Sequence, residues 1–512
     1  MTCFNIVRHA FIILIFSALA APAVAQDRLV ERFAGTVRIG SQPGLPIHLE
    51  LLRTGDAVEG TISIPGARFS IVDARGRDTI AGRFEGEGGS GALSLRVAGD
   101  SLSGTFDFQG QSGSLTAERT MQSAEAFFRP PAEKLDLTST QWRQDLDRLS
   151  EILTSEHAAP FHRIKREQLD ADVAKLRAAI PDLDGIRIAL EFRKLGALIG
   201  DGHTAVALPD AMARLPVEFY WFDDGLRVVA ISADHAALLG SRLVAINDMP
   251  AAEVTERMRA VVPQGETVTY HRANVAALLN SPDSLRAVGI VGGQPITFTI
   301  ETRDGSPRQL EIEIAGQDAA LSVLGGSAPL WQQNTPEGFW SKSLEDGTVY
   351  VNWRSYDDLA KHSTVLLQQL DATQPRRLVI DLRDNAGGDF NLGRAFIAEI
   401  GKRPWLDRQG ALYVLIGRKT FSAAMTNATD FKQRTKAILV GEPAGAAPNN
   451  WQEVRRFHLP NSGLHVGVST RFYEFLPGET ELRPDHEVPP GPEDWGRPVD
   501  SAVKFILAQP VP

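Results

Sequence analysis

Cysteine is almost absent from this chain, since Cys3 is the one cysteine among 512 residues. It lies in the N-terminal stretch 1–25, which has Arg8 as its only charged residue, an apolar run (AFIILIFSALA) and the small residues AVA at its end. This pattern predicts a secretory signal peptide, with a retained anchor as the alternative. Without that stretch no cysteine remains, which excludes a disulfide framework, thiolate metal ligands and a cysteine nucleophile. We therefore expect export to the periplasm or the extracellular space.

Long apolar runs and excess positive charge are also lacking. No later stretch reaches the roughly 18 apolar residues of a spanning helix, so stable membrane insertion is not expected. Lys and Arg number 53 against 63 Asp and Glu, giving a formal net charge of −10. This acidity disfavours nucleic acid or an anionic membrane as a partner. The HExxH, Walker and EF-hand patterns are missing too, and neither a metal ion nor an organic cofactor is implied.

The length predicts several domains, and composition and periodicity distinguish them. They are the signal peptide 1–25, an all-β module 26–120, a helical segment 133–212, a mixed module 213–318 and a catalytic βα core 336–512. The fold class is therefore multidomain, α/β plus all-β. The β module alternates with period two between Gly and Asp turns, which is typical of a small barrel or sandwich. It either binds something or serves as a spacer.

Helical spacing and Asp or Ser starts predict three helices in the next segment. They cover residues 140–156, 165–179 and 184–199, and the third ends in the turn GDGHT, which contains His203. In the mixed module the phrase GSRLVAINDMP at 240–250 resembles the glycine-started strand and turn of PDZ domains. A polar, helical segment from 263 to 291 interrupts this PDZ-like module.

The core is organised around RLVIDLRDNAGG at 377–388. Its branched apolar residues predict a strand buried on both faces, ending in a loop that contains Gly387 and Gly388. A second predicted strand, 411–417, runs into RKTFSAA, which places Ser422 at a strand-to-helix junction. Because the carboxyl ends of parallel strands meet at one sheet edge, Ser422 is expected close to the Gly-Gly loop.

Ser422 has two interpretations. A serine at a helix start is commonly an N-cap. Alternatively it is a nucleophile, with the N–H of Ala423 and those of Gly387 and Gly388 directed at an oxyanion. A serine nucleophile needs a base, and His203 is the candidate, although it is otherwise an ordinary loop histidine. Asp381 and Asp384 could mimic a paired-carboxylate glycosidase site, but bracing of the turn is the preferred interpretation.

Five motifs in this order resemble the S41 family of serine peptidases, which includes the C-terminal processing (tail-specific) proteases and the tricorn core protease. They are GDGHTAV, RLVIDLRDNAGG, GRKTFSAA, GEPAGAAP and LRPDHEVP. The resemblance covers roughly 135–508, leaves out the β module, and implies a core of the ClpP/crotonase-like type.

The resemblance implies roles for individual residues. Ser422 matches the nucleophile, and the N–H groups of Ala423, Gly387 and Gly388 match the oxyanion donors. The lysine base of the processing proteases is missing, since Ala447 occupies its position; Lys432 and Lys436 are expected to be solvated. His203 is similar to the histidine base of the tricorn branch, where a serine stands in place of Gly202. For the family's glutamate, Glu479 and Glu481 both stay open.

The sequence thus predicts an exported serine endopeptidase that acts on polypeptides through an acyl-enzyme on Ser422. The alternative is a catalytically inactive binder of a peptide or lipid in the cell envelope, which the missing lysine and Gly202 favour. A further alternative is an envelope protein in which the β module carries the function. The sequence leaves the substrate and the oligomeric state open.

Overall fold

The structure is a computed structural model that describes residues 29–510 except 41–43, 66, 87–88, 109, 130, 293–294, 315–319, 335 and 345. The predicted signal peptide therefore lies outside the described residues. The chain divides into two compact units, residues 1–130 and 131–512. A finer division of the second unit stays a prediction. Among the helices described, none combines the length and apolarity that crossing a membrane requires.

The first unit is a closed barrel of eight antiparallel strands, each paired with its neighbours in sequence. The strands are β1 (Leu29–Ile39), β2 (Leu45–Thr54), β3 (Ala57–Ile64), β4 (Ala67–Arg75), β5 (Thr79–Gly86), β6 (Gly89–Ala98), β7 (Ser101–Phe108) and β8 (Gln111–Arg119). Pairing of β1 with β8 closes the barrel, so no strand edge is left open. The predicted all-β module is confirmed, and of the two architectures considered it is the barrel. A short helix, α1 (Ala124–Phe128), follows.

The second unit starts with the three predicted helices, all within a residue of their expected bounds. They are α2 (Ser139–Ser155), α3 (Arg166–Ala179) and α4 (Gly185–Leu198). Thr138 caps α2 through a capping box and Asp184 caps α4. These N-cap residues explain why the sequence predicts where the two helices begin. A short strand, β9 (Ala205–Val206), comes directly after the GDGHT turn.

The region 217–323, which includes most of the predicted mixed module, forms an antiparallel sheet with helices between its strands. Its elements are β10 (Val217–Phe222), β11 (Gly225–Ser232), β12 (Arg242–Ile246), β13 (Met249–Pro250), α5 (Ala251–Met258), α6 (Val268–Leu278), α7 (Pro282–Ala287), β14 (Thr297–Glu301), β15 (Pro307–Glu311) and β16 (Leu321–Val323). The sheet order is β10-β11-β12-β14-β15, with β13 on β12 and β16 on β11. Helices α6 and α7 form the predicted interruption.

The core is a six-stranded sheet of order β17-β18-β19-β20-β21-β24, parallel except between β17 and β18. Its elements are β17 (Phe339–Ser343), β18 (Val349–Trp353), α8 (Leu359–Thr373), β19 (Leu378–Asp381), α9 (Phe390–Gly401), β20 (Leu412–Ile416), α10 (Ala423–Arg434), β21 (Ile438–Gly441), β22 (Asn449–His458), β23 (His465–Glu474), β24 (His486–Glu487) and α11 (Ser501–Leu507). Every residue of β18, β19 and β20 is buried, as expected for parallel strands covered on both faces. Separately, β22 and β23 form a small sheet with β9.

One predicted helix begins later than expected. The sequence predicts a helix near residues 355–370, but α8 begins at Leu359. The Ser355 hydroxyl accepts the Asp357 N–H at 3.0 Å, and Asp358 has a left-handed φ of 50°. This local serine turn competes with the helical backbone, which delays the start of α8.

Candidate active site

Ser422 occupies the end of the loop between β20 and α10 with an unusual backbone conformation. Its φ is 53° and its ψ is −126°, although it is not a glycine. It stands at the N-cap position of α10, yet its side chain makes no capping hydrogen bond. The N-cap interpretation is therefore not borne out. A positive φ at a non-glycine residue costs free energy and is found where a functional geometry demands it.

The Gly-Gly loop after β19 contacts Ser422 directly. The Phe421 N–H donates to the Asn385 carbonyl at 3.0 Å, which joins this loop to the one after β20. Gly387 has a φ of +111°, and a Cβ built on it would lie 2.7 Å from Ser422 Cβ and 3.0 Å from the Ala423 nitrogen. Glycine is required here both for the backbone conformation and for the space. The predicted proximity of Ser422 and the Gly-Gly loop is confirmed.

The three predicted oxyanion donors differ in their availability. The Gly387 N–H already donates to Asn385 Oδ1 at 2.9 Å, and the Asn385 amide in turn donates to the Trp353 carbonyl at 2.9 Å. In contrast, the N–H groups of Gly388 and Ala423 have no hydrogen-bond partner among the described residues. Unpaired N–H groups beside a half-buried hydroxyl can stabilise negative charge on a bound carbonyl oxygen.

The two aspartates of this loop region are tied to cations. Asp381 accepts the Tyr350 hydroxyl at 2.6 Å and the Arg383 backbone N–H at 2.9 Å, and it forms a buried ion pair with the Arg383 guanidinium. Asp384 pairs with Arg354 at 3.3 Å and with Lys419 at 3.2 Å. Both carboxylates therefore brace the loop. This is the interpretation that the sequence favours over a paired-carboxylate glycosidase site.

The turn that contains His203 is held by a buried carboxylate. Asp201 Oδ1 accepts the backbone N–H groups of His203 and Thr204 and the Ser469 hydroxyl, each at 2.8 Å. Its Oδ2 lies 3.0 Å from His157 Nε2. Burial alone would raise the pKa of Asp201, but the hydrogen bonds from His157, Thr204 and Ser469 more than offset it and lower the pKa to about 2. Asp201 is thus ionised and fixes the turn to β23.

His157 is a buried partner that sequence reasoning missed. The Ala159 N–H donates to its Nδ1 at 2.9 Å. Because a backbone N–H can only donate, Nδ1 is the acceptor and the proton of the neutral ring is on Nε2, facing Asp201. The ring also contacts His162 and Trp451. No spacing in the sequence connects His157 with Asp201, since the contact is made by the tertiary fold.

His203 lies beside the residue that precedes Ser422. Its ring stacks on the Phe421 ring with 4.4 Å between centroids. Neither His203 ring nitrogen has a hydrogen-bond partner among the described residues, so the structure brings His203 next to Phe421 without a bond to Ser422. Burial lowers the pKa of His203 to about 4, against the opposing charge of Asp201. The ring is therefore neutral at pH 7 and able to accept a proton.

Glu266 is a second buried titratable group that the sequence did not single out. Neither carboxylate oxygen has a hydrogen-bond partner among the described residues, and burial raises the pKa of Glu266 to about 7. Its neighbour Gly265 packs on Gly202, since a Cβ built on Gly202 would lie 3.2 Å from Gly265 Cα. The Tyr270 hydroxyl donates to the Gly202 carbonyl at 3.2 Å. Buried polar groups without hydrogen-bond partners are rare in folded proteins. The His203 ring and the Glu266 carboxylate are two such groups, and each follows one glycine of the Gly202–Gly265 contact in the sequence.

The segment around Glu266 is also fixed to the core. The hydroxyls of Thr267 and Thr269 donate to the carbonyls of Gly445 at 2.7 Å and Ala444 at 3.0 Å. These carbonyls belong to the GEPAGAAP segment. The turn with His203, the segment with Glu266 and the loop before α10 therefore meet in one place.

Residues considered for other roles lie as follows. Ala447 is buried, with 3% of its surface exposed. Lys432 pairs with Asp485 at 3.0 Å. Glu479 is exposed, and Glu481 pairs with Arg483 at 2.8 Å, so neither of these two glutamates is bonded to His203. Among the described residues, no group of three or more His, Cys, Asp or Glu side chains is placed to hold a metal ion.

Comparison with known proteins gives the following similarities. No family model and no curated protein sequence matches the chain. Mature CPAF is 13% identical over 72% of this chain and 96% of its own, with a TM-score of 0.49. The photosystem II D1 C-terminal processing protease is 14% identical over 70% of this chain and 94% of its own, with a TM-score of 0.35. The tricorn protease is 11% identical over 92% of this chain and 46% of its own, with a TM-score of 0.36.

Proposed function

We propose that this protein is an exported serine peptidase of the S41 type that hydrolyses polypeptides through an acyl-enzyme on Ser422. One observation carries the proposal: Ser422 has a positive φ, does not cap its helix, and lies against Gly387, while the N–H groups of Gly388 and Ala423 have no hydrogen-bond partner among the described residues. An activated hydroxyl with two adjacent backbone donors is what acyl transfer requires. The sequence motifs described above agree with this chemistry.

The residues have the following roles. Ser422 Oγ attacks the scissile carbonyl, and the N–H groups of Gly388 and Ala423 stabilise the oxyanion, by roughly 3–4 kcal/mol per donor in other acyl-transfer enzymes. Gly387, whose N–H is occupied by Asn385, holds the loop conformation. His203 accepts the Ser422 proton and later donates it to the leaving amine. Because neither His203 ring nitrogen is bonded to Ser422 among the described residues, this step requires a hydrogen bond that forms in the substrate complex, as catalytic hydrogen bonds often do.

A second candidate, an inactive binder of peptide or lipid, is favoured because no described residue forms a hydrogen bond with either His203 ring nitrogen. The two candidates differ in their reactivity towards a fluorophosphonate, which labels an activated serine.

Labelling of the full-length protein, followed by intact mass, tests the proposal. We expect one label per chain, lost in Ser422→Ala and lost or slowed at least 100-fold in His203→Ala. The control variants Ser341→Ala and His486→Ala replace exposed residues of the same core and should label like the wild type. A folded wild type without label, or label retained in Ser422→Ala, would contradict the peptidase proposal; the first result would favour the binder.

A further inference from the structure

The barrel of the first unit contains an apolar cavity of about 100 Å³. All of its lining residues are aliphatic or aromatic: Val37, Ile39, Leu45, Ile47, Ile62, Ile64, Phe69, Phe84, Leu93, Phe106, Phe108 and Leu115. Eight-stranded barrels are just wide enough either to be filled by their own side chains or to hold one small ligand. The cavity shows that part of this barrel is not filled.

The cavity opens at one end of the barrel. Its deeper lining residues, such as Ile47 and Leu115, are 2% exposed. In contrast, Ile39, Ile64 and Phe108, which end strands β1, β3 and β7, are only half-buried, and Leu45 at the start of β2 is 41% exposed. These strand termini all lie at the same end of an up-and-down barrel. Among the described residues, the lumen is therefore less covered at this end than at the other.

The opposite end is closed. Phe33, Leu49 and Leu51 are completely buried in the lumen there. Beyond them, Glu31 forms ion pairs with Arg53 and with Arg119, the second at 3.1 Å. A ligand that enters the open end consequently meets a filled lumen and a charged cluster, so it does not pass through.

Phe69 and Phe108 contact each other across the lumen, with 5.9 Å between ring centroids, whereas two further rings lie along the wall of the cavity. Phe84 faces Gly91 and Phe106 faces Gly113 on the neighbouring strand. A Cβ built on Gly91 would lie 2.6 Å from Phe84 Cζ, and one on Gly113 would lie 2.1 Å from Phe106 Cζ. Each ring thus occupies the space that a side chain at its glycine partner would take, which keeps the lumen open.

We propose that the barrel is a binding site for the end of one alkyl chain, as in a fatty acid or the acyl chain of a lipid. An apolar cavity of about 150 Å³ stays dry and binds benzene, so this space suits the last few carbons of a chain. The lining offers no polar group, and a peptide backbone placed there would lose its hydrogen bonds to water without replacement. The polar head of the bound fatty acid or lipid remains at the open end, in water.

Photo-crosslinking to the full-length protein tests this site, with two forms of the probe. One is decanoic acid with a diazirine near its methyl end, and the other is a phosphatidylcholine with the same acyl group, offered in phosphatidylcholine vesicles. We expect saturable crosslinks on peptides from residues 29–119. Crosslinks from decanoic acid identify a free fatty acid as a source, and crosslinks from vesicles alone identify a membrane lipid. Crosslinks only in residues 131–512, or none that saturate, would overturn the proposal.

Matched variants locate the ligand. Phe69→Gln places an amide in the cavity lining, whereas Ser70→Gln introduces the same side chain on the exposed outer face of β4. We expect Phe69→Gln to weaken decanoate affinity at least ten-fold and Ser70→Gln to leave it unchanged. Leu45→Gln, at an exposed position of the opening, should act like Phe69→Gln while perturbing folding least. Equal affinities in folded Leu45→Gln and Ser70→Gln would contradict the site. Ser422→Ala should bind normally, since this inference does not depend on the proposed peptidase activity.

Discussion

At the scale of single residues, the candidate site depends on two conformations that are costly elsewhere. Ser422 adopts a positive φ, and Gly387 allows the Gly-Gly loop to reach it. These strained positions persist because buried bonds fix them on both sides: Phe421 to Asn385, and Asn385 to Trp353. Under the proposed function, the Ser422 hydroxyl is therefore positioned before any substrate binds.

Gly387→Ala tests this positioning. The new methyl group would lie 2.7 Å from Ser422 Cβ and would force the two loops apart. Displacement of about 1 Å at a reacting group can cost about 100-fold in rate, so we expect labelling of Ser422 to slow by about that factor. Gly401→Ala is the control, because a Cβ on Gly401 meets nothing within 4 Å. Equal labelling rates in the two variants would show that the close contact between Gly387 and Ser422 does not affect the reactivity of Ser422.

The pH dependence of labelling tests His203. Its pKa is lowered to about 4 by burial, so the neutral, proton-accepting form persists well below the usual value of about 6.5. We expect the labelling rate to be retained as the pH falls from 7 to 5 and to drop with a midpoint near pH 4. A midpoint near 6.5 would mean that the base is a solvated histidine rather than buried His203.

At the scale of elements, sequence periodicity was sufficient for local structure but not for contacts distant in sequence. The capped helices α2 and α4 and the strand β20 are predicted almost to the residue, and β19 is predicted as a strand buried on both faces, because their signals are local. The sequence left a barrel and a sandwich as alternatives for the β module, and it did not predict the His157–Asp201 pair or the burial of Glu266. Each depends on residues brought together only by folding, and Glu266 itself lies in a polar segment that looks like a solvated loop.

Asp201→Asn should loosen the GDGHT turn. The amide would present N–H donors to the His157 Nε2–H, leaving a buried donor unpaired, at a cost of about 1–3 kcal/mol in the free energy of unfolding. Chemical denaturation measures this change, with exposed Asp136→Asn as the control. Because the folded pKa of Asp201 is about 2, its contribution in the wild type is present above about pH 4 and lost as the pH falls towards 2. A variant as stable as Asp136→Asn at pH 7 would contradict this role.

Glu266→Gln should change the pH dependence of stability. The folded pKa of Glu266 is raised to about 7, above the usual 4.3 or so, so the folded wild type is penalised as the pH rises between these values. The variant has no such penalty, and its stability relative to wild type should rise by up to about 3 kcal/mol from pH 4 to pH 8. In the wild type the lowered pKa of His203 makes stability rise with pH, opposite to the effect of Glu266. The quantity to measure is therefore the difference in the free energy of unfolding between Glu266→Gln and the wild type at each pH. Exposed Glu167→Gln should show no such trend; a flat difference for Glu266→Gln would refute the burial argument.

At the scale of the whole molecule, the two proposed sites lie in different compact units. Every residue of the candidate active site lies in residues 131–512, and the apolar cavity lies in the barrel of the first unit. The barrel has its own core and a closed strand order. We therefore expect a shortened chain of residues 131–512 to label at Ser422 at the wild-type rate. Loss of labelling in a folded shortened chain would show that the barrel contributes to the active site.

Trapping the acyl-enzyme tests most directly whether Ser422 is the nucleophile of a peptidase. The full-length protein is mixed with a peptide p-nitrophenyl ester, quenched in acid within one turnover, and digested for mass spectrometry. We expect an acyl group on the peptide that contains Ser422, present in Ser341→Ala and absent in Ser422→Ala. Release of nitrophenol at the wild-type rate by Ser422→Ala, or an acyl group on any other residue, would contradict it.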